Sequence, residues 1–289
     1  MKKILFATTA LVATAGVASA DVSFSGNAAF GALKVAGADD FEIAHRIDLY
    51  ARGTAETDTG LSFHAIVEFE QLENTGVAAD KTGDNDTTTI IGMSAGNVTV
   101  QYGNTDGAID KNTSEAYRIR GVDFEGWGGR VDNKDDGEIL RMDYVMDALR
   151  VSLSYADTDE AAGIGFSYTA DLGGTSVNIG LGYEDGDQGD LAAITLGAQF
   201  GAFGARIGYW DGSEDNAEQV DISVQYQAND LTLWAEYLMN ETADTDNYTV
   251  GATYNLGGGA TVFAQVGTRD TAALGDEQEF ASFGVAFGF

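Results

Sequence analysis

Five arginines lie within stretches of alternating polarity: Arg46, Arg52, Arg141, Arg150 and Arg206. Each falls on the polar parity of its stretch. His64 shares that parity, as do the carboxylates Asp48, Glu68, Asp143, Asp221 and Glu236. Cations and anions ranged along one face can steer ions and small dipolar solutes across a narrow wet gap. The plainer alternative is the solvated face of a soluble sheet, with protein covering the other face. Covalent chemistry fits these residues poorly. There are only two histidines, His45 and His64, on opposite parities, and there is no cysteine. HExxH does not occur, and no glycine-rich loop opens a helix, so no catalytic residues are expected. A hydrolase built on His45 and a neighbouring serine is the remaining enzymatic reading. A subunit contact suits His45 better, because it lies on the apolar parity.

A second constellation occupies the longest connection, 104–137. It carries Asp106, Asp110, Glu115, Asp123, Glu125, Asp132, Asp135 and Asp136 against Lys111, Arg118, Arg120, Arg130 and Lys134. Folded outward, this segment is a polar surface loop. Folded inward, it narrows an enclosed space and sets its acids against the arginines. The residues leave both open, with length and position leaning inward. The acidic segments also offer carboxylate oxygens to calcium, yet neither 80–86 nor 211–215 has the spacing of a calcium loop. No cofactor is expected, with calcium the one alternative.

The elements that must position these groups are strands. In Phe41–Glu70, the odd positions Phe41, Ile43, Ile47 and Leu49 are apolar, while Glu42, Arg46, Asp48 and Arg52 are polar. After the turn Thr57–Gly60, Leu61, Phe63, Ala65, Val67 and Phe69 alternate with Ser62, His64, Glu68 and Glu70. The same alternation runs from Val22 to Phe289 and divides into sixteen strands, with seven short turns and eight longer, mostly acidic connections. Sorting of this kind fits a barrel with short periplasmic turns and long external loops. Tyr102, Tyr144, Tyr155, Tyr168, Tyr183, Phe200, Phe203, Tyr209, Tyr226, Tyr237, Tyr248 and Tyr254 share the apolar parity, mostly near strand ends. That distribution suggests girdles at the two membrane interfaces. Lipid outside and water inside would satisfy both faces, since a lipid-facing arginine at mid-depth costs about 2–4 kcal/mol. The expected fold is an all-β, 16-stranded antiparallel transmembrane β-barrel.

Composition agrees. The chain has 289 residues, 46 acids, 15 bases, no proline and a net charge of −31. So acidic a surface repels nucleic acid. Proline would remove donors from a continuous ladder. Lys2, Lys3, an apolar run to about Val17 and Ala18-Ser19-Ala20 form a secretory signal, expected over residues 1–20 with cleavage before Asp21. The barrel would then be a single domain, 21–289.

The sequence resembles the general diffusion porins of the outer membrane, of the sixteen-stranded trimeric type found in purple non-sulfur and related alphaproteobacteria. The resemblance rests on DVSFSGNAAFGAL at the first strand, RIDLYARGTAETDTGLSFHA (46–65), GNVTVQYGNTDGAID (96–110) and the terminal FGVAFGF (283–289). It implies that the long third loop enters the barrel and forms a constriction with Asp106, Asp110 and Glu115, faced by Arg46 and Arg52. It also implies that the amine of Asp21 meets the carboxylate of Phe289 where the barrel closes. A homotrimer contact would use the first and last strands, with Gly26, Ala28 and Ala32 allowing close approach. Partners implied are membrane lipid and lipopolysaccharide, small hydrophilic solutes, and the outer-membrane assembly machinery acting through Phe289. The expected function is a water-filled outer-membrane channel for passive diffusion. A substrate-selective channel and a non-conducting structural or adhesive barrel are the alternatives. Arg118, Arg120 and Arg130 depart from the family's loop and bear on its ion preference.

Overall fold

The computed structural model describes residues 20–73, 85–118, 137–158, 160–187, 189–213, 218–242, 244–270 and 277–289. They form sixteen strands: β1 Ala20–Lys34, β2 Glu42–Glu56, β3 Ser62–Glu73, β4 Asn85–Ala95, β5 Val98–Thr105, β6 Gly137–Met146, β7 Leu149–Ala156, β8 Ala161–Asp171, β9 Thr175–Gly186, β10 Gly189–Phe200, β11 Phe203–Gly212, β12 Gln219–Ala228, β13 Leu231–Asn240, β14 Thr245–Gly257, β15 Ala260–Arg269 and β16 Gln278–Gly288. One short helix, α1 Ala108–Asn112, follows β5. Every strand pairs antiparallel with its sequence neighbours, and β16 pairs with β1, so the sheet closes into a barrel. Closure leaves the backbone ladder without free edges along most of its length, which stabilises a chain that lacks disulfides.

The alternation read from the sequence maps onto the two faces. Ile43, Ile47, Leu49, Ile91, Ile194, Leu196, Val250 and Val266 point outward and are exposed. Asp48, Arg141, Asp143, Asp221 and Glu236 point inward and are buried. An exterior this apolar is what hydrocarbon, not water, solvates. Of the twelve aromatics assigned to girdles, eleven are exposed on the outer face. The other, Tyr237, is half-buried and donates its hydroxyl to Asp246 Oδ1 at 2.9 Å.

One end of the barrel is built from tight turns. Gly96, Asp147, Gly201 and Asn229 open two-residue connections with φ of 56°, 51°, 54° and 53°, left-handed values that match the twist of a hairpin. The opposite end departs from the expected pattern. β9 and β10 pair as far as Gly186↔Gly189, and β13 and β14 pair as far as Asn240↔Thr245. Some of the expected long loops are therefore hairpins of two to four residues. Polar residues such as Asp185, Asp190, Asp211 and Asp246 continue the strands there, because a ladder that rises past the apolar band tolerates charge on its outer face.

Closure also differs from expectation. β1 meets β16 only from Asn27↔Gly288 to Lys34↔Ala281, and Phe289 exchanges both backbone hydrogen bonds with Gly26, at 2.8 and 2.9 Å. The last residue thus lies opposite Gly26, not Asp21. Asp21 sits five residues further along β1, where that strand pairs with β2 alone. A Cβ on Gly26 would come within 2.6 Å of the Phe289 ring. Gly26 therefore makes room for the closing aromatic and is not an open spot for a partner subunit. Ala28 and Ala32 remain the small outward residues of β1.

Inside the barrel, large rings lie over glycines directly across the ladder. His64 covers Gly92, Trp234 covers Gly251, Phe280 covers Gly267 and Phe263 covers Gly284. Each ring fills the place of the missing side chain on the facing strand and restores packing where the glycine lets the sheet bend.

Candidate functional site: the lumen and its inward segment

At the end of β5 the chain turns into the barrel. Gly103 makes this possible: its φ is 131°, and a Cβ there would lie 2.0 Å from the carbonyl oxygen of Thr89. α1 then packs on the inner faces of β7, β8 and β9. Four inward glycines form its bed, Gly163 and Gly165 on β8 and Gly180 and Gly182 on β9. A Cβ on Gly165 would sit 2.1 Å from the carbonyl oxygen of Ala108, and one on Gly180 would sit 2.3 Å from that of Asn112. Ile109 completes the seat in a buried cluster with Leu191, Ala193 and Trp210.

Hydrogen bonds carry the segment onward around the wall. The backbone N–H of Ala108 donates to Ser154 Oγ at 2.9 Å and that of Ser114 to Thr195 Oγ1 at 3.0 Å. Those of Ala116 and Tyr117 donate to Asp221 Oδ2 at 3.2 Å and Ser223 Oγ at 3.0 Å. Ser114 Oγ donates to Asn178 Oδ1 at 2.8 Å. Residues 105–118 thus run along the inner wall from β6 to β12, inside the barrel.

Three of the five arginines serve this path. Arg141 Nη1 donates to the carbonyl oxygen of Asp106, Arg150 Nη1 to that of Lys111 at 3.5 Å, and Arg206 Nη1 to that of Glu115 at 2.7 Å. The Arg206 guanidinium also stacks 4.1 Å above the ring centroid of Tyr117. Arg141 further holds Asp143 at 3.1 Å, and Ser152 Oγ donates to the other oxygen of that carboxylate at 2.6 Å. Alternating polarity assigns these side chains to the inner face. Their partners, however, are backbone carbonyls of the inward segment, which no alternation reveals.

The other charged groups are distributed as follows. Arg46 pairs with Asp48 at 2.8 Å and with Glu70 at 2.7 Å, both on its own side of the wall. Arg52 is exposed to the lumen near the mouth at the tight-turn end, beside Asp21 and His64. Glu68 accepts from Thr88 Oγ1 at 3.4 Å, and Glu236 is buried on β13. Of the loop acids, Asp106 lies 3.8 Å from Arg141 and 4.0 Å from Lys111. Glu115 pairs with Arg118 at 2.5 Å, and Asp110 is half-buried on α1. The expected opposition of Asp106, Asp110 and Glu115 to Arg46 and Arg52 is not among these ion pairs. Asp123, Glu125, Asp132, Asp135, Asp136, Arg120, Arg130 and Lys134 lie outside the described residues, as do residues 1–19 of the signal. Among the described residues, no three His, Asp or Glu side chains converge as a metal site would require. The sequence reading missed α1 and its glycine bed. Two Gly-x-Gly pairs on the inward parity, 163/165 and 180/182, were the available signal.

Residues 7–274 match the family model described as Gram-negative porin. The chain is 26% identical to a porin of Rhodobacter capsulatus, over 93% of this chain and all of that one. Two engineered variants of the porin of Rhodopseudomonas blastica superpose with TM-scores of 0.71 and 0.70 at 21% identity, over 93% of this chain and the whole of theirs. The superposition runs over the closed sixteen-stranded antiparallel barrel described above. The chain belongs to the Gram-negative porin family and is a channel of the bacterial outer membrane, through which small solutes pass by passive diffusion.

Proposed function

We propose that the segment 105–118 forms the constriction and that passage is selected there by size and charge, with a preference for small cations. The observation that carries this reading is the fastening of that segment along the inner wall by Arg141, Arg150, Arg206 and the Ser and Thr hydroxyls. Arg46 is already neutralised by Asp48 and Glu70. Asp106, Asp110, Glu68 and Glu236 add negative charge to the lumen, and the whole chain carries −31. A cation entering a low-dielectric gap lined this way is favoured over an anion. Membership of a porin family supports a channel and not an enzyme.

The mature chain begins at Asp21 after signal cleavage and assembles as a homotrimer through β1 and its neighbours, with Ala28 and Ala32 at the contact. Phe289 guides insertion by the outer-membrane assembly machinery, and lipopolysaccharide meets the tyrosines of the external rim. Planar-bilayer recording tests the central claim. A tenfold KCl gradient should give a reversal potential of cationic sign, with conductance steps in threes. A reversal potential favouring chloride would overturn the charge assignment.

A further inference from the structure

Where β16 closes on β1, the inner wall holds a niche of about 260 Å³, the share of about nine water molecules at roughly 30 Å³ each. Its walls carry Asn27 from β1, Arg46 and Asp48 from β2 and Thr261 from β15, and its floor is made of small residues, among them Ala29, Ala286 and Gly288. Asn27 and Asp48 are directly paired across the ladder, as are Ala29 and Arg46, so donors and acceptors stand side by side on two adjacent strands. The Oδ1 of Asn27 lies 3.5 Å from where a Cβ on Gly288 would sit, an ordinary contact distance, so the amide rests directly over this floor.

Three features select a class of solute. First, the charges are already opposed: Arg46 lies 2.8 Å from Asp48 and 2.7 Å from Glu70. An anion or a cation settling here gains no unopposed partner and loses hydration. Second, the Asn27 amide and the Thr261 hydroxyl offer a mixed set of donors and acceptors, which suits vicinal hydroxyl groups, while the buried Asp48 beneath them is already held by Arg46. Third, the floor of alanine methyls and glycine backbone accepts the C–H face of a ring, which a bulkier wall would keep away. We infer that this niche is a weak binding subsite for neutral, hydroxyl-rich solutes of monosaccharide size. It rests on the diffusion-channel reading and deepens it, by placing one residence site on the wall beside the solute's path. Weak binding suits passage, because a solute must leave as readily as it enters.

The test is current-noise analysis of the full-length pore in planar bilayers, with glucose, and separately sodium gluconate, added to 1 M KCl. Glucose should produce saturable excess noise, and gluconate should need at least about five times the concentration for the same effect. The paired substitution Asn27→Ala with Thr261→Val should raise the half-saturating glucose concentration about fivefold, the loss expected for one net hydrogen bond. Refolding yield is checked by heat-resistant migration, and noise is scaled to each variant's own KCl conductance. A wild-type pore that conducts but shows no glucose noise overturns the niche and leaves the channel standing. Equal noise in wild type and variant overturns it as well, since the residence site then lies elsewhere. If gluconate matches glucose, the neutral-solute assignment is wrong. A folded protein that never conducts would sink the channel reading and the niche with it.

Discussion

Replacing Gly165 with alanine should lift the constriction segment off the wall without unfolding the barrel. The new Cβ would lie 2.1 Å from the carbonyl oxygen of Ala108 and 2.5 Å from Asn112 Nδ2. Ordinary contact needs about 3.5 Å, so α1 must retreat toward the lumen axis by roughly 1.4 Å. That displacement stretches the 2.9 Å bond from Ala108 N–H to Ser154 Oγ and the 3.2 Å bond from Ser167 Oγ to Asn112 Oδ1 beyond hydrogen-bonding range. At about 1 kcal/mol net for each lost bond, the seat weakens by roughly 2 kcal/mol, a thirtyfold change in the balance between seated and displaced segment. Gly197→Ala is the control. It also adds a methyl to the inner wall, but its nearest neighbour is the Arg206 stem at 3.6 Å. Single-channel recording should show lower conductance and frequent substates for Gly165→Ala, with Gly197→Ala like the wild type. Both proteins should keep the same heat-resistant band. If Gly165→Ala folds and conducts in one steady state at wild-type amplitude, the glycine bed does not hold the segment.

Arg206→Lys keeps the charge but loses the planar fork that reaches the Glu115 carbonyl and stacks on Tyr117. The reversal potential should stay put while open-channel flicker rises; a shifted potential with a quiet channel would mean that the residue acts by charge alone. Arg141→Ala strands the buried Asp143 without its cation, at a cost of about 3–5 kcal/mol. Urea unfolding in detergent should register that as a lower midpoint, and an unchanged midpoint would show that Ser152 alone suffices for the carboxylate.

Most of the fold was legible because a two-residue period leaves a residue no choice of face once its neighbours are assigned. Arg46, Arg141 and Arg206 were all placed inward on that ground, and all are inward. What a parity argument lacks is distance. It could not show that Arg141 and Arg206 reach loop carbonyls while Arg46 stays with Asp48 and Glu70. α1 is five residues long, too short to carry a helical period, so its presence was invisible. The meeting of Phe289 with Gly26 was missed for a related reason. How far β16 slides along β1 is set by the stagger of the whole cylinder, a property of sixteen strands together and of no local segment. The upper hairpins were read as loops because Asp185 and Asp190 look like loop residues, yet the ladder continues through them.

Phe289 acts on Gly26 as a hem on the seam. It contributes two backbone bonds and a ring at a single point, just past the Asn27↔Gly288 pair that ends the β1–β16 ladder. Without that clasp the eight ladder pairs between β1 and β16 would still close the barrel, but their outermost pair would become the one that frays first. The seam would then open from its end inward, like an unhemmed cloth, while the other fifteen junctions between strands held.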